Sequence, residues 1–369
     1  MLALNEERRM LRDSAQAAIA DKAPIALWRQ LRASGDERGY SQEFWRDCVG
    51  MGWAGILIPE AYGGMDFGLV GAGLVAREMG RTLAGSPFLS TAVMAALALK
   101  GGGSEAQKSR WLTKIAVGEA VVAVAIDEAA RHDPAEMATS AVETSQGWRL
   151  NGAKVCVLDG PFADAVLVAA QAGPERASFL VEAQAPGLSR QSRALVDGRR
   201  VAAMRLENVD LPAEAKLGGG PALIDEVLDA ARAILAASLS GVAEEAFART
   251  LAYLKQRRQF DRTIGSFQAL QHRMAMLHVE IENAWSATFK ALAALDEGAS
   301  DAPLQVAIAK AKASETGRRA TAEGLQLHGG IGMTDEFDIG LFLKKAQVDS
   351  ELFGDAAFHA DRVATMLGY

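Results

Sequence analysis

Three stretches of this 369-residue chain carry side chains whose types and spacing could do chemistry. The first is Tyr253-Leu-Lys-Gln-Arg257-Arg-Gln-Phe260 with Ile264-Gly-Ser-Phe-Gln268-Ala-Leu-Gln271, an arginine pair and an aromatic followed by two glutamines at helical spacing. The second is Gln326-Leu-His-Gly329-Gly330-Ile-Gly332-Met. A guanidinium offers charge and directional donors to an anion. Glycine lets a backbone come close to a ligand. The third, Ser350-Glu351-Leu352-Phe353-Gly354-Asp355, holds two carboxylates, each able to take a proton if positioned against one. Plainer readings stay open on residue type alone. Arg257 and Arg258 read equally as a solvated pair at a helix end, Phe260 as core, Gly329-Gly330 as a helix stop, and Asp355 as the cap of a following helix. The five histidines (His132, His272, His278, His328, His359) form no metal set.

Rigid elements must hold these residues. To about residue 118 the chain reads as helices: Met10, Leu11, Ala15, Ala18 and Ile19 keep a helical period, and Phe44, Trp45, Cys48, Val49 and Met51 continue it. Gly63-Gly64 and Gly101-Gly102-Gly103 are breaks, and Ser104 with Gln107 reads as a capping box. From 119 short β-rich runs follow: Val121 to Ile126, Ala138 to Glu143, Trp148 to Leu158, Ala165 to Ala170, Ser178 to Ala183 and Ala203 to Val209. Asn151-Gly152 reads as a hairpin turn, because type I′ turns need positive φ. From about 219 long helical periods return, over Ala222 to Lys255, Phe267 to Glu297 and Ala302 to Leu327. The expected domains are 1–118, 119–218 and 219–369. The fold class is α+β, mostly α: a helical domain, a small β-barrel or sandwich, and a helical bundle.

Half of the residues are hydrophobic, ample for a large core, and the net charge of −7 argues against a nucleic-acid partner. Cys48 and Cys156 lie far apart and fit a reducing compartment. The run from Met1 to Arg9 lacks a secretory apolar core, and no apolar run approaches about 18 residues, so the expectation is a cytoplasmic protein with no membrane span.

The order of these elements resembles the acyl-CoA dehydrogenase family over nearly the whole chain. Gly52-Trp53 through Pro59-Glu60-Ala-Tyr62-Gly63-Gly64, Glu78-Met-Gly80-Arg81, Gly118-Glu119, Asn151-Gly152-Ala-Lys154 and Leu217-Gly218 match its elements in order. The resemblance implies an N-terminal helical domain, a middle β-barrel and a C-terminal four-helix bundle. It also implies FAD, an acyl-CoA substrate, a tetramer and an electron-transfer flavoprotein as acceptor. By the same resemblance Arg257 lies on the FAD pyrophosphate, Phe260 on the adenosine half, Gln268 bonds from the next helix, and Gln326, Gly329 and Gly330 offer amides, all to a neighbouring subunit's flavin.

The chain departs from the family where the flavin ring and the base belong. Phe353 stands at the usual position of the catalytic Glu, and Arg232 at or next to a second position where some members carry it. Asp355 and Glu351 are the remaining carboxylates, Asp355 being the better candidate base, and Arg232 could face the acyl-CoA. In the β-domain Cys156 replaces the family's ring-shielding aromatic, Leu158 its hydroxyl near flavin N5, and Asp127 an expected hydroxyl. The losses fall on a subunit's own ring site, and the retained residues on its neighbour's flavin. The implied protein is therefore one chain of a heterotetrameric enzyme, similar to the small subunit of pimeloyl-CoA dehydrogenase and to steroid side-chain enzymes. The alternatives are a homo-oligomer using Asp355 and a non-redox structural subunit.

Overall fold

A computed structural model describes residues 4–36 and 38–369, so Met1–Ala3 of the amino-terminal run lie outside the described residues. In chain order the helices α1 (Glu6–Lys22), α2 (Ile25–Ser34), α3 (Gln42–Gly50), α4 (Gly68–Thr82), α5 (Ala96–Gly102), α6 (Glu105–Gln107) and α7 (Thr113–Ala116) come first. The strands β1 (Val122–Ala125), β2 (Ser140–Thr144), β3 (Gly147–Leu158), β4 (Ala165–Ala172), β5 (Glu175–Glu182), β6 (Leu188–Ala194) and β7 (Arg200–Leu211) follow. Then come α8 (Gly220–Gln256), the short pair β8 (Arg258–Gln259) and β9 (Arg262–Thr263), α9 (Gln268–Asp296), α10 (Ala302–His328), α11 (Ile339–Glu351) and α12 (Ala356–Met366). This is a mostly helical chain with a curled mixed sheet in its middle segment, as expected. Among the described residues no helix is long and apolar enough to cross a membrane.

The chain divides into two compact units. One comprises 30–68 and 85–231 and contains the sheet. Its central strand β4 pairs antiparallel with β5 along its whole length and parallel with β1, and touches β2 at Gln171. Continuous burial from Ala165 to Ala170 follows, and explains the unbroken apolar run there. Phe179, Leu150, Val168 and Met204 fill the core, and Trp148 tilts against Phe179 at 5.2 Å. The capping box forms: Ser104 and Gln107 exchange side chain and backbone bonds, and Trp111 and Ile115 are buried behind it.

Asn151-Gly152 is not the hairpin turn. The turn is Ser145-Gln146, closed by the Thr144–Gly147 pair, and β3 runs straight through Asn151. The register of β3 against β7 shifts between Leu150 and Gly152, a bulge, and the Asn151 side chain accepts from Asn208 N at 2.8 Å. A β-carbon at Gly152 would meet Thr139, and its φ of +151° also disfavours a side chain, so glycine is demanded here within the strand rather than at a turn. The polar edge strand β6 escaped notice because it has no apolar alternation to read.

The other unit comprises residues through Arg29, 69–84 and 232–369. Every residue of α8 from Val227 to Ala243 is buried, so this stretch carries no solvent face. Within the unit α4 crosses α8 backbone to backbone. A β-carbon on Gly241 would strike the Arg77 carbonyl oxygen, and one on Gly80 the Ser238 carbonyl oxygen. A chain of alternating charge flanks the crossing: Arg77–Glu244 at 2.8 Å, Glu244–Arg81 at 3.6 Å, Arg81–Glu245 at 3.4 Å, Glu245–Arg249 at 2.9 Å, Arg249–Asp338 at 3.1 Å and Asp338–Arg29 at 2.8 Å. Glu78 is buried beside it, and burial raises its carboxyl above the usual range despite Arg81 and Arg77. Gly241→Ala should therefore destabilise the protein by about 1–3 kcal/mol in denaturant melts, because backbone cannot move aside as a side chain can. Gly50→Ala, where a β-carbon meets nothing, should be neutral or better; equal behaviour of the two variants would disprove the close-crossing argument.

Candidate functional site

The end of α8 and the end of α10 meet through Tyr253 and His328. Their rings stack at 4.4 Å, and the Tyr253 hydroxyl donates to the His328 carbonyl at 3.4 Å. His328 is buried, which holds its imidazole below the usual range, and its Nδ1 bonds the Gly324 carbonyl at 2.7 Å. Leu254, Met274 and Leu327 pack as a small core, with Ile264 and Leu270 at its edge. These contacts bring the first two sequence stretches together on one face.

The hairpin after α8 presents Phe260 to solvent. Arg258 pairs with Thr263 and Gln259 with Arg262, leaving Phe260 and Asp261 as the two turn residues, at φ +52° and +60°. A type I′ turn prefers Asn or Gly at these positions. Phe260 is 84% exposed, so its reading as core is wrong. Its ring contact is an edge with Phe267 at 6.1 Å, and Arg262 covers Phe267 at 4.0 Å. Arg257 is exposed, and its guanidinium has no hydrogen-bond or ion-pair partner among the described residues. Gln268 opens α9 and is exposed, while Gln271 bonds the Gly265 carbonyl at 3.0 Å.

On the adjoining end of α10, Gln326 is exposed and Gly329 ends the helix at φ +65°, ψ −146°. That conformation is open essentially only to glycine. A β-carbon on Gly329 or Gly330 would meet nothing within 4 Å, so the backbone here faces open space. A free cation, an exposed aromatic, two amide side chains and a bare glycine backbone thus lie at the adjoining ends of α8, α9 and α10. Together they suit an extended ligand with an anionic centre and a flat apolar ring.

The third stretch is built differently. Phe353 is buried, at φ +56°, in the turn between α11 and α12. Its carbonyl accepts from Arg232 Nε at 3.0 Å and His359 Nε2 at 3.2 Å. The fully buried Lys310 donates to the Ser350 carbonyl at 2.9 Å, the Gly354 carbonyl at 3.0 Å and Ser314 Oγ at 3.3 Å. Burial pushes its ammonium down to about 7, against the pull of Asp349. Burial first, then Arg232, Lys310 and Arg362, hold His359 down to about 2, so it is neutral and donates through Nε2. Among the described residues its Nδ1 has no partner. Asp355 Oδ1 accepts from Phe358 N at 2.7 Å and caps α12. Glu351 is exposed and bonded by Gln347 at 2.9 Å. Arg232 is buried with its guanidinium 5.6 Å from the Phe358 ring. The turn is therefore gripped by bases, and the one carboxylate on it that is not at the surface caps a helix. Nothing in residue spacing pointed to Lys310 or His359, because their partners are backbone carbonyls.

In the sheet-containing unit Leu158 is buried, and Cys156 sits at φ +53° where β3 shifts register again against β7. Asp127 Oδ1 lies 2.6 Å from His132 Nδ1. The buried Lys154 joins the Ile126 carbonyl at 2.9 Å to Glu128 at 2.7 Å, and Glu128 also accepts from Ala138 N and Thr139 N. Burial would raise Glu128, but the bonds from Lys154, Thr139 and Ala138 outweigh it and hold the carboxyl below its usual range. This loop is charged and internally tied.

The family model described as acyl-CoA dehydrogenase, N-terminal domain, matches residues 5–119, and that described as acyl-CoA dehydrogenase, C-terminal domain, matches residues 218–368. The chain is 34% identical over 350 residues to acyl-CoA dehydrogenase IpdE2 of Mycobacterium tuberculosis, covering 94% of this chain and 93% of that protein. Among solved structures it is similar to a variant of the Tcur3481-Tcur3483 steroid ACAD, with 33% identity, TM-score 0.90 and 98% of each chain covered. It is also similar to the ChsE4-ChsE5 complex from Mycobacterium tuberculosis, with 27% identity, TM-score 0.92, and 99% and 98% covered. The chain belongs to the acyl-CoA dehydrogenase family.

Proposed function

We propose that this chain is one subunit of a heterotetrameric FAD-dependent acyl-CoA dehydrogenase, and that it grips the outer half of a flavin whose ring pocket and base lie on a related partner chain. The observation that carries the reading is the surface around Tyr253 and His328. There Arg257 has no partner among the described residues, Phe260 is held out on a strained turn, and the Gly329-Gly330 backbone is bare. FAD, the cofactor of this family, fits that set: a pyrophosphate for the guanidinium, an adenosine for the aromatic, and polar edges for Gln268, Gln326 and the glycine amides. When bound, FAD supplies hydride acceptance from the acyl β-carbon.

The chain's own residues at the Phe353 turn cannot match that with proton removal. Phe353 has no acid, its carbonyl is held by Arg232 and His359, and Asp355 serves Phe358 N. Arg232 is then a positioning residue for the turn and, toward an acyl-CoA, a positive neighbour rather than a base. Leu158 offers no hydrogen bond near the ring. The substrate class we favour is a bulky CoA ester, a steroid side chain or a dicarboxylic acyl group, supported by the steroid and two-chain descriptions of the similar structures. An electron-transfer flavoprotein is the acceptor we expect, and the cytoplasm the compartment.

Flavin content tests the reading. The chain purified alone should be colourless or unstable, and co-expression with a related dehydrogenase chain should give about one FAD per two chains. One FAD per chain in isolation, bleached by an acyl-CoA, would overturn it in favour of a self-sufficient enzyme. No flavin under either condition would point to a structural subunit.

Two substitutions in the mixed complex separate the roles. Arg257→Ala should weaken FAD retention by roughly 10- to 100-fold, as loss of a hydrogen bond to a charged group costs about 1.5–3 kcal/mol. Asp355→Ala should cost about 0.5–2 kcal/mol of stability through the lost cap and change kcat less than about twofold. A fall in kcat of about two or more orders of magnitude would make Asp355 the base.

A further inference from the structure

The sheet-containing unit holds a titratable pair that the flavin reading does not use. Residues Phe88–Ala95 form a π-helical turn, a rare geometry that recurs at functional sites. Ser90 on it is buried, and its Oγ lies 2.5 Å from Asp159 Oδ2. Asp159 follows Leu158 at the end of β3 and takes φ +56°, so it and Cys156 put two left-handed non-glycine residues into one short segment. Such strain persists only where surrounding structure enforces it.

The carboxylate is poorly served. Among the described residues Ser90 is its one hydrogen-bond partner, and no cation pairs with it. Arg199 faces it but is bonded to Asp197 at 2.6 Å. The Tyr40 phenol feels Asp159 but is itself pushed up to about 12 by burial, and Asp164, which also faces Tyr40, is bonded to Val121 N at 2.8 Å. Thr91 is committed to Val122 through both its carbonyl and its amide. Arg190 holds the next carbonyl, Gly160 O, at 3.1 Å. On Asp159's own strand, burial raises the Cys156 thiol, which stays neutral.

Both protonation states can be bonded. The ionised carboxylate accepts from the Ser90 hydroxyl. The protonated acid donates to Ser90 Oγ, and the Ser90 proton turns to the Pro87 carbonyl, 3.3 Å away. Proton uptake thus adds a bond and removes a half-buried charge. We propose that Ser90 and Asp159 form a proton-operated latch joining the 88–95 turn to the Cys156–Gly160 segment, tight when the acid is neutral and looser when it is ionised. The latch does not depend on flavin binding or on which chain supplies a base.

Burial raises Asp159 to about 6, against the Ser90 bond and Arg199. The sign follows: the folded acid holds its proton more tightly than the unfolded one, so the contribution is fully present below the ordinary carboxyl value and is lost as pH rises through about 6. Hydrogen exchange of the amides of Asp159, Gly160 and Phe162, which bond Arg200 O, Val157 O and Asp159 O, reads the latch directly. After correction for intrinsic rates, their protection should fall about tenfold between pH 5 and pH 7.5 in the native chain, measured alone or in whatever complex keeps it stable. Asp159→Asn, whose amide can donate to Ser90 at any pH, should abolish that dependence. A carboxyl ¹³C titration, with Asp159 assigned by its loss in the same variant, should show a midpoint near 6. Identical pH profiles in the native chain and the variant, or a midpoint at the ordinary aspartate value, would overturn the latch. Ser90→Ala should lower protection throughout the pH range, and unchanged protection would count equally against it.

Discussion

A buried ammonium must find oxygen, and in this chain that requirement organises the carboxy-terminal helices. Lys310 lies on α10 with no exposed surface, and an isolated charge there would be prohibitively costly. Its three bonds reach the last turn of α11, the Gly354 carbonyl and its own helix. Arg232 and His359 reach the carbonyl between those two backbone partners. The ends of α11 and α12 are thus fixed by side chains from α8, α10 and α12 acting on backbone rather than on each other. Phe353 can hold a left-handed conformation because donors on two sides fix its carbonyl. A turn held by the Arg232 guanidinium and the Lys310 ammonium is a poor place for a proton acceptor, since positive neighbours favour carboxylate over carboxylic acid.

The same reasoning separates the two halves of the candidate chemistry. At the Phe353 turn, among the described residues, His359 Nδ1 is the one fully buried side-chain polar atom without a partner. Around Tyr253 and His328 the reverse holds. Exposing Phe260 on two positive-φ residues costs stability, on the order of 1 kcal/mol per residue, against which stand the edge contact with Phe267 and the bond from Arg258 to the Asp261 carbonyl at 2.8 Å. An exposed aromatic and an unpaired guanidinium leave room for a ligand or partner, whereas groups satisfied internally serve the scaffold.

Much of the fold was legible because its signals are periodic. The three long helices were readable nearly to their ends, since α8, α9 and α10 keep apolar residues at helical spacing over many turns. The buried strands β1 and β4 were readable as apolar runs. Asn151-Gly152 misled because turn chemistry and bulge chemistry demand the same residue: glycine serves positive φ in both, and close approach to Thr139 in the bulge as well. The motif stretches fall at the adjoining ends of α8, α9 and α10, and Phe260 is opposite to its plain reading as core. Lys310, His359 and the Lys154–Glu128 tie were invisible, as each depends on partners brought together only by tertiary packing.

That difference also bears on how a family fold can change its role. Gly80, Gly241 and the buried stretch of α8 are constrained by backbone contact, so they persist whatever the chain does. At the Phe353 turn the bonds from Arg232, Lys310 and His359 all go to backbone carbonyls. Its side chain can change from acid to aromatic without disturbing the bonds from Arg232, Lys310 and His359, because none of them touches that side chain's polar atoms. On the proposed reading, a base can be lost from this turn at little structural cost while the surface proposed to grip flavin, built on separate helix ends, is retained. Division of labour between two related chains needs no new fold, only independent supports for the two halves of the site.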